Sequence, residues 1–375
     1  MRTSSKKILT THVGSLPHLE PDELPTGAAL SEQVAAVVAK QRAIGIDIVN
    51  EGEYTKGGDW LSYVESRFGG FEARPQSGKP IITQGRDREA FADFYRYATE
   101  RGTLFYTPGD QIKRSRPQWV CVGPITYRGH DDLAREIAAL RALVDDPADA
   151  FLTTTSPASL EPYRLNEFYP SEEEFLFALA EAMRVEYEAI AEAGFLLQVD
   201  DAWLPALWDR IGIDMGLARF RARCMLRVEA LNHALRNIDA SRIRYHLCWG
   251  SWHGPHAFDL EMRHLVDIML AVKAKAYLFE AGNVRHEHEY VVWDDVKLPA
   301  GKILVPGVVS HATDVVEHPE LVAQRIVRFA ERVGRENVMA GTDCGFGGRS
   351  HPQIAWAKPA ALADGAAMAS RALGF

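Results

Sequence analysis

Short apolar runs alternate with longer amphipathic segments along nearly the whole chain, and this alternation constrains the fold more than any other feature. The runs are nearly continuous in apolar and β-branched residues, which is typical of parallel strands covered by helices on both faces. The predicted strands are 8–13, 46–50, 119–122, 151–155, 196–199, 243–248, 276–279, 303–309 and 338–340. Repeated strand–helix units of this kind predict an α/β fold.

The segments between the predicted strands carry helical signals. Ser171 precedes three glutamates and an apolar stripe, the pattern of an N-cap followed by acidic residues in the first helical turn. Apolar residues recur at three and four positions from Leu217 to Leu235, which predicts another amphipathic helix. No linker divides the 375 residues. We therefore predict a single (β/α)₈ TIM barrel domain over residues 1–375, in which one of the nine predicted strands has another role.

Residues 52–110 break the alternation of strands and helices. This region is rich in glycine, arginine and aromatic residues and has little periodicity. We expect it to be an insertion or loop region near the mouth of the barrel.

The charge balance and the cysteines exclude several classes of protein. The chain has 42 Lys and Arg against 51 Asp and Glu, a net charge of −9, and no long basic block, so nucleic acid and anionic membranes are not expected partners. No run approaches the ~18 apolar residues of a membrane span. Four scattered cysteines do not make a disulfide framework. We expect a cytoplasmic protein, and the sequence leaves open whether it forms a homo-oligomer.

The residues with chemical potential lie where predicted strands end. In a TIM barrel the active site is formed at the C-terminal ends of the strands and in the loops that follow them. Acidic, histidine, cysteine and serine side chains gather at these positions: Ser15, Glu53, Asp200, Asp201, His246, Cys248, Glu280, His311 and Cys344.

His246 and Cys248 are two residues apart on a predicted strand, so both side chains project to the same face. Such a pair alone is weak evidence for a metal site, because free cysteines are common in protein cores. Cys344 and Glu280, however, end two other predicted strands. Two thiolates, one imidazole and one carboxylate form a plausible tetrahedral zinc set. The other two cysteines fall on apolar patterns and are expected to be structural.

Six short motifs together resemble those of the cobalamin-independent methionine synthase family, in the same order along the chain. The likeness covers nearly the whole chain and matches that family's C-terminal catalytic barrel. The motifs are Val13-Gly14-Ser15-Leu16-Pro17, Gly52-Glu53, Gly123-Pro124-Ile125-Thr126, Gln198-Val199-Asp200-Asp201, His246-Leu247-Cys248 and Asp343-Cys344-Gly345.

This resemblance implies a Zn²⁺ ion held by His246, Cys248 and Cys344, with Glu280 as a displaceable ligand. In the family the ion binds the substrate thiol and keeps it as a thiolate that attacks an alkyl group. The chemistry of the ligands agrees, because zinc lowers the pKa of a bound thiol until it ionises. Two cysteinates and a neutral histidine leave the ion without net charge, so a bound thiolate keeps its nucleophilicity.

The resemblance also implies roles around the metal. Glu53 and Asp200 match residues that hold the amino group of homocysteine, and Ser15 matches a residue near its carboxylate. The alternative is that both acids are solvated or paired with arginine. His311 matches a histidine near the reacting centre and is a candidate general acid or proton shuttle, although a plain surface histidine would also follow a strand here.

The departures from the family concern the substrate. Methionine synthases of this class are much longer chains, whose N-terminal half helps to hold the folate donor. Asp201 stands where their motif has glutamate, and His12 precedes the Val-Gly-Ser run. The segments after Cys248 and after Arg285 also differ. These differences favour the shorter stand-alone branch, which includes the epoxyalkane:coenzyme M transferases.

Further substrate contacts are expected near the zinc ligands. Trp249, with Trp252, suggests an apolar wall around the transferred group, and Lys56 and Arg285, with Arg349, are candidates to receive a carboxylate or sulfonate. His12 and Asp201 complete the predicted substrate contacts. Four histidines in the following loops, at 253, 256, 286 and 288, are either a second metal site or side chains that are solvated or face the substrate.

Two enzymatic hypotheses follow, together with one that is not enzymatic. The first is zinc-dependent alkyl or methyl transfer from a small-molecule alkyl donor to a small thiol. The second uses the same zinc site for epoxide opening by coenzyme M, or for lyase cleavage of a carbon–sulfur or carbon–oxygen bond, with His311 or His12 as proton donor. The third is a structural zinc site, which would be closed by four protein ligands.

Overall fold

The computed structural model describes residues 1–18, 27–56, 60–104 and 117–375. A parallel sheet of six strands has the order β3-β5-β6-β7-β8-β9, and a smaller sheet has the order β1-β2-β4. The strands are β1 (Phe68–Arg74), β2 (Gln118–Tyr127), β3 (Phe151–Thr155), β4 (Arg164–Asn166), β5 (Leu196–Asp201), β6 (Ile243–Leu247), β7 (Ala276–Phe279), β8 (Ile303–Val309) and β9 (Gly341–Thr342).

Helices connect these strands and cover the parallel sheet. They are α1 (Gly27–Ala43), α2 (Tyr63–Arg67), α3 (Arg86–Ala90), α4 (Ala92–Arg101), α5 (His130–Arg141), α6 (Pro157–Leu160), α7 (Glu172–Glu192), α8 (Trp203–Leu207), α9 (Ile213–Met215), α10 (Leu217–Ala234), α11 (Val266–Ala271), α12 (Val292–Asp295), α13 (Pro319–Val333) and α14 (Pro352–Ala372). Ser171 caps α7 as predicted, since its side chain accepts a hydrogen bond from the Glu174 N–H. None of the described helices is long and apolar enough to cross a bilayer.

The six-stranded sheet curls, and two further extended segments lie along its edges. Thr10 forms a parallel bridge with Ala340, and Val49 forms one with Ala150 at the start of β3. The Ile48 N–H also donates to the Thr10 carbonyl at 3.1 Å, so the two segments contact each other. The predicted strands 8–13 and 46–50 are thus extended segments held by isolated bridges, and the α/β architecture approaches that of a TIM barrel.

Two of the predicted strands differ in the structure. Residues 119–122 belong to β2, which pairs with β1 antiparallel and with β4 parallel in the smaller sheet. The exposure of alternate β2 residues, such as Val122, shows that only one face of this strand is covered. The last strand of the parallel sheet is Gly341–Thr342 rather than 338–340, although Val338 makes an isolated parallel bridge.

The region 52–110 contains more secondary structure than its lack of periodicity predicted. Within its described part it contributes β1 and the helices α2, α3 and α4. The sequence of this region gives little periodic signal because its helices are short. Its strand β1 pairs with β2, which is distant in sequence. Residues 57–59 and 105–110 of this region lie outside the described residues.

Alternate residues of the parallel strands pack into two separate apolar clusters. Leu196 and Leu278 belong to a small cluster enclosed by the sheet. Their neighbours Leu197 and Phe279 belong to the large cluster between the sheet and the helices. The sheet is therefore covered on both faces, which explains why its strands are continuous apolar runs.

Candidate metal centre and active site

The ends of three parallel strands bring four potential metal ligands together. His246 is the second-to-last residue of β6, and Cys248 directly follows that strand. Glu280 follows β7, and Cys344 lies just after β9. Because these strands are parallel members of one sheet, their C-terminal ends lie at the same edge of it. The potential ligand atoms of His246, Cys248 and Cys344 all lie within 4.8 Å of one another.

The distances between these atoms match a single tetrahedral zinc ion. The Sγ atoms of Cys248 and Cys344 are 3.7 Å apart, and both cysteines are free thiols. The Cys248 Sγ lies 3.6 Å from Oε1 of Glu280. Tetrahedral zinc with usual bond lengths separates two sulfur ligands by about 3.8 Å, and a sulfur from an oxygen ligand by about 3.6 Å. The side chains as they stand fit a zinc ion.

The imidazole of His246 is oriented as a ligand would be. Its Nδ1 atom lies 2.8 Å from Oδ1 of Asp200, whereas its Nε2 atom is buried and has no hydrogen-bond partner among the described residues. An orphaned ring nitrogen is costly in a protein interior unless it binds something. A carboxylate behind a histidine is also the usual support of a metal ligand.

The thiol of Cys248 donates a hydrogen bond to the sulfur of Cys344. The hydrogen bond from Cys248 lowers the pKa of Cys344 to about 6, and burial opposes this shift. The same contact, together with burial, raises the pKa of Cys248 well above its usual value. A metal would replace the proton of this hydrogen bond and require both groups as thiolates.

A cavity of about 170 Å³ opens onto these ligands. Ser15, Glu53 and Asp200 line it, as the sequence predicted for substrate contacts. Trp252 and Arg349, which the sequence also proposed near the metal, line it as well, and its wall further includes residues that the sequence did not assign to the site: Trp60, Tyr163, Trp203, Arg210 and Ser251. A neighbouring cavity of about 820 Å³ shares Ile82, Tyr163, Arg210 and Trp252 with the first.

Glu53 is held in a strained and buried position. Its backbone φ is 62°, in the left-handed region that few non-glycine residues adopt. Burial raises the pKa of its carboxyl to about 8, and the nearby Asp200 contributes to this shift. Backbone strain and a perturbed carboxyl in a cavity wall are both features of functional sites.

Ser15 packs closely against the glycine-rich turn after Cys344. A Cβ atom on Gly347 would collide with the Ser15 hydroxyl, and one on Gly345 would lie 2.7 Å from its Cβ. The Phe346 N–H donates to the Ser15 carbonyl at 2.8 Å. The glycines beside Cys344 therefore permit the close approach of the Ser15 backbone.

Lys56 and Asp201 were predicted to contact substrate but lie behind the cavity wall. Lys56 is buried, with its ammonium 3.6 Å from a Glu136 oxygen. Asp201 points to the opposite face of β5 from Asp200, where it accepts hydrogen bonds from Ser159 and Tyr245, each at 2.9 Å. Both side chains have protein partners and support the structure around the site.

His12, Trp249 and Arg285 are also not among the residues that line the cavity in the described chain. His12 is buried with Nε2 2.8 Å from Oε1 of Gln41 in α1, and burial lowers its pKa to about 3. Trp249 is fully buried, and its indole N–H donates to the Leu260 carbonyl. Arg285 is exposed and donates to the Ala257 carbonyl at 3.0 Å. Of the two tryptophans singled out in the sequence, only Trp252 faces the cavity.

His311 lies beside Glu280 and Asp343 rather than in the cavity wall. It is buried, and its Nδ1 atom has no hydrogen-bond partner among the described residues. Burial, followed by the nearby Arg349, lowers its pKa well below the usual value. This shift favours the neutral imidazole, and the predicted role of His311 as a general acid or proton shuttle stays a prediction.

The loop histidines do not gather around a common point. His256 and His286 both contact the same Asp259 oxygen, at 2.9 and 3.3 Å. The second ring nitrogen of His286 contacts Glu289 at 2.9 Å. Within the described residues, the candidate ligand groups do not include these histidines. His256 and His286 instead form a buried ion-pair network with Asp259 and Glu289.

Sequence comparisons link the chain to methionine synthases, although no family model matches it. It is 23% identical to a methionine synthase from Saccharolobus solfataricus over 338 residues, 90% of this chain and 83% of that protein. It is 25% identical to a methionine synthase from Thermococcus kodakarensis over 193 residues, 51% of this chain. That alignment spans about half, 49%, of the Thermococcus protein.

Two solved structures share the fold over nearly their whole length. A B12-independent methionine synthase from Shewanella sp. W3-18-1, in complex with selenomethionine, matches with a TM-score of 0.71 and 19% identity, covering 98% of this chain and 99% of the other. A putative vitamin-B12 independent methionine synthase from Listeria monocytogenes matches with a TM-score of 0.64 and 18% identity, covering 96% and 98%. These findings confirm the resemblance to the cobalamin-independent methionine synthase family, without placing the chain in one branch of it.

Proposed function

We propose that this protein is a zinc-dependent enzyme that transfers a methyl or other small alkyl group to a small thiol. The observation that carries this proposal is the convergence of three donor atoms, from His246, Cys248 and Cys344, at a cavity lined by Glu53 and Asp200, with Glu280 3.6 Å from the Cys248 sulfur. Relatives named methionine synthase support the same class of reaction.

We also propose that the strands close into a (β/α)₈ barrel. The six parallel strands supply six of the eight barrel strands, and the bridged segments 8–13 and 46–50 supply the other two. The bridges from Thr10 to Ala340 and from Val49 to Ala150 support closure, because they connect both edges of the sheet through the same two segments. We retain one domain over residues 1–375, with 52–110 as the insertion near the mouth.

Zinc held by His246, Cys248, Cys344 and Glu280 would lower the pKa of a coordinating thiol so that the acceptor reacts as a thiolate. Asp200 holds the His246 ring through Nδ1, which leaves Nε2 directed to the ligand cluster. The acceptor sulfur attacks the alkyl carbon of the donor. A sulfur–carbon bond forms, the bond from that carbon to the donor breaks, and the donor fragment leaves with the electron pair.

Homocysteine is our first choice of acceptor. Glu53 and Asp200 are acidic side chains in the cavity wall and suit an ammonium group, while the Ser15 hydroxyl suits a carboxylate. The tryptophan-lined cavity of about 170 Å³ suits a small alkyl group. The neighbouring cavity of about 820 Å³ offers room for the rest of the alkyl donor.

Two cationic side chains favour a second candidate reaction. Arg210 and Arg349 line the same cavity as the metal ligands, and a guanidinium suits a sulfonate. Coenzyme M would then attack an epoxide carbon, so that a sulfur–carbon bond forms and a carbon–oxygen bond breaks. The resulting alkoxide takes a proton from solvent or an acid, and lyase chemistry would need the same proton donor.

A thiol screen by X-ray absorption at the zinc edge separates these candidates. We expect about one zinc per chain in the purified protein. Homocysteine should add one sulfur neighbour to the zinc, whereas 2-mercaptoethanol at the same concentration should not. Protein that binds no zinc would refute the proposal, and a new sulfur neighbour with coenzyme M alone would select the second candidate.

A further inference from the structure

The two carboxylate oxygens of Glu280 have different partners. Oε1 accepts a hydrogen bond from the Trp249 N–H at 3.0 Å and lies 3.6 Å from the Cys248 sulfur. Oε2 accepts a hydrogen bond from the side-chain amide of Asn283 at 2.8 Å. The Trp249 backbone therefore holds one oxygen of the carboxylate, and the side chain of Asn283 holds the other.

The amide of Asn283 also joins two of the loops that carry potential ligands. Its Nδ2 atom donates to Oδ2 of Asp343 at 3.0 Å. The other oxygen of Asp343 accepts from the backbone N–H groups of Ala281 and Gly282, both at 2.8 Å. Since Cys344 directly follows Asp343, these bonds tie the loop after β7 to the loop after β9.

The orientation of the Asn283 amide is determined by its surroundings. Its Oδ1 atom accepts from the backbone N–H groups of Arg285 and His286, at 3.0 and 3.1 Å. Its NH₂ group has two hydrogens, one for each neighbouring carboxylate. The side chain is buried, so water does not readily replace these bonds.

We propose that Asn283 is a positioning residue that holds the Glu280 carboxylate in place as the fourth zinc ligand. This inference rests on the proposed zinc site. A carboxylate fixed through Oε2 keeps Oε1 directed at the metal position, because the group cannot rotate without losing the amide bond. Asn283 thereby determines how firmly Glu280 holds the position that a substrate thiol takes.

Two substitutions separate the effect of Asn283 on the Glu280 carboxylate from its hydrogen bonds to the backbone of the loop after β7. Asn283→Ala removes the whole side chain. Asn283→Asp keeps an oxygen for the two backbone N–H groups and removes the NH₂ group that faces the carboxylates. Asn232→Ala is the matched control, because Asn232 donates to the Ala271 carbonyl at 2.9 Å and accepts from the Lys273 N–H at 2.8 Å, away from the ligand cluster.

The measurement is the rate at which zinc-loaded protein releases zinc to a chromogenic chelator, with folding checked by circular dichroism. We expect both Asn283 variants to bind zinc through the three remaining ligands and to release it roughly 10- to 100-fold faster than wild type. Asn232→Ala should release zinc at the wild-type rate. If Asn283→Ala does not fold, Asn283→Asp carries the test.

A double variant decides whether Asn283 acts through Glu280. Glu280→Gln should itself accelerate release, and the double variant Asn283→Ala/Glu280→Gln should release zinc no faster than Glu280→Gln alone. If the effects of the two substitutions on the zinc-release rate multiply in the double variant, the inference is overturned while the zinc site stands. Zinc release from Asn283→Asp at the wild-type rate would overturn it in the same way. A wild-type protein that binds no zinc would instead refute the proposed function on which the inference rests.

Discussion

Nδ1 of His246 lies 2.8 Å from Oδ1 of Asp200, and this contact determines which ring nitrogen faces the two cysteines. Asp200 also lines the cavity and accepts a hydrogen bond from Gln198 at 2.8 Å. One carboxylate therefore connects the metal ligands to the surface that receives substrate. Its neighbour Asp201 faces the other side of β5 and takes no part in this connection.

We predict that Asp200→Asn weakens zinc binding by roughly 10- to 100-fold, as for other carboxylates behind a metal-bound histidine. The amide keeps the size of the side chain but removes the charge that favours a donating Nδ1–H. Competition with a chelator of known affinity measures the effect. Asp201→Asn is the matched control and should leave zinc affinity unchanged; equal weakening by both variants would contradict the role of Asp200.

We predict that Cys248→Ser and Cys344→Ser each lose most of the bound zinc, because a serine hydroxyl does not ionise at neutral pH to replace a thiolate. Metal analysis of the purified variants measures this. Cys224→Ser is the control, since Cys224 is buried in α10 with its sulfur 3.8 Å from the Leu204 carbonyl. Full zinc content in both site variants would remove the metal assignment, and loss in Cys224→Ser would show that the wrong thiol was chosen.

We predict that Glu53→Gln raises the KM for homocysteine at least tenfold and leaves the KM for 2-mercaptoethanol within about twofold, because only the aminothiol carries an ammonium group. Steady-state kinetics with the two thiols and the same alkyl donor measure the difference. Equal changes for both thiols would exclude a contact between Glu53 and an amine.

The pKa of Glu53, raised by burial and by Asp200 to about 8, predicts how this preference depends on pH. Below pH 8 the free carboxyl is mostly neutral, and it becomes a carboxylate as the pH rises. The ratio of the KM for homocysteine to that for 2-mercaptoethanol should therefore fall between pH 6.5 and 8.5 in the wild type. The ratio should stay flat in Glu53→Gln, and a parallel fall in that variant would assign the dependence to another group.

The sequence predicted the parallel sheet and the ligand cluster because both follow from regular patterns. Continuous apolar runs identify strands covered on both faces, and the residues after those runs reach one edge of the sheet. His246 in β6 and Cys248 directly after it project to the same side by simple alternation. The pairing of residues 119–122 with β1 could not be predicted from such patterns, because β1 lies in a region without periodicity.

Sequence pattern does not distinguish residues that line the cavity from residues that support them. Asp200 and Asp201 both end β5, but only the first lines the cavity, and nothing local in the sequence distinguishes the faces. Trp249 and Trp252 likewise differ in the direction that the loop after β6 gives them. Asn283 was missed because an asparagine three residues after Glu280 has no spacing signature; its role depends on Asp343, which is distant in sequence.

Glu51 provides a prediction about stability that does not depend on metal. Its carboxyl is fully buried, with Oε1 accepting from the Thr55 hydroxyl at 3.2 Å and Oε2 without a partner among the described residues. Burial raises its pKa from 4.5 to about 7, while the nearby Lys56 opposes the shift. Because the folded pKa is the higher one, the folded state keeps its proton over a range in which the unfolded state has lost it.

We therefore predict that the free energy of unfolding falls as the pH rises from 4.5 toward 7, because the contribution of the neutral Glu51 is complete below 4.5 and is lost through the folded pKa of about 7. The shift corresponds to about 3 kcal/mol. Urea unfolding of wild type and Glu51→Gln at pH 5 and pH 8 measures it. The variant, which cannot ionise here, should gain stability relative to wild type at pH 8; an unchanged difference between the two pH values would contradict the raised pKa.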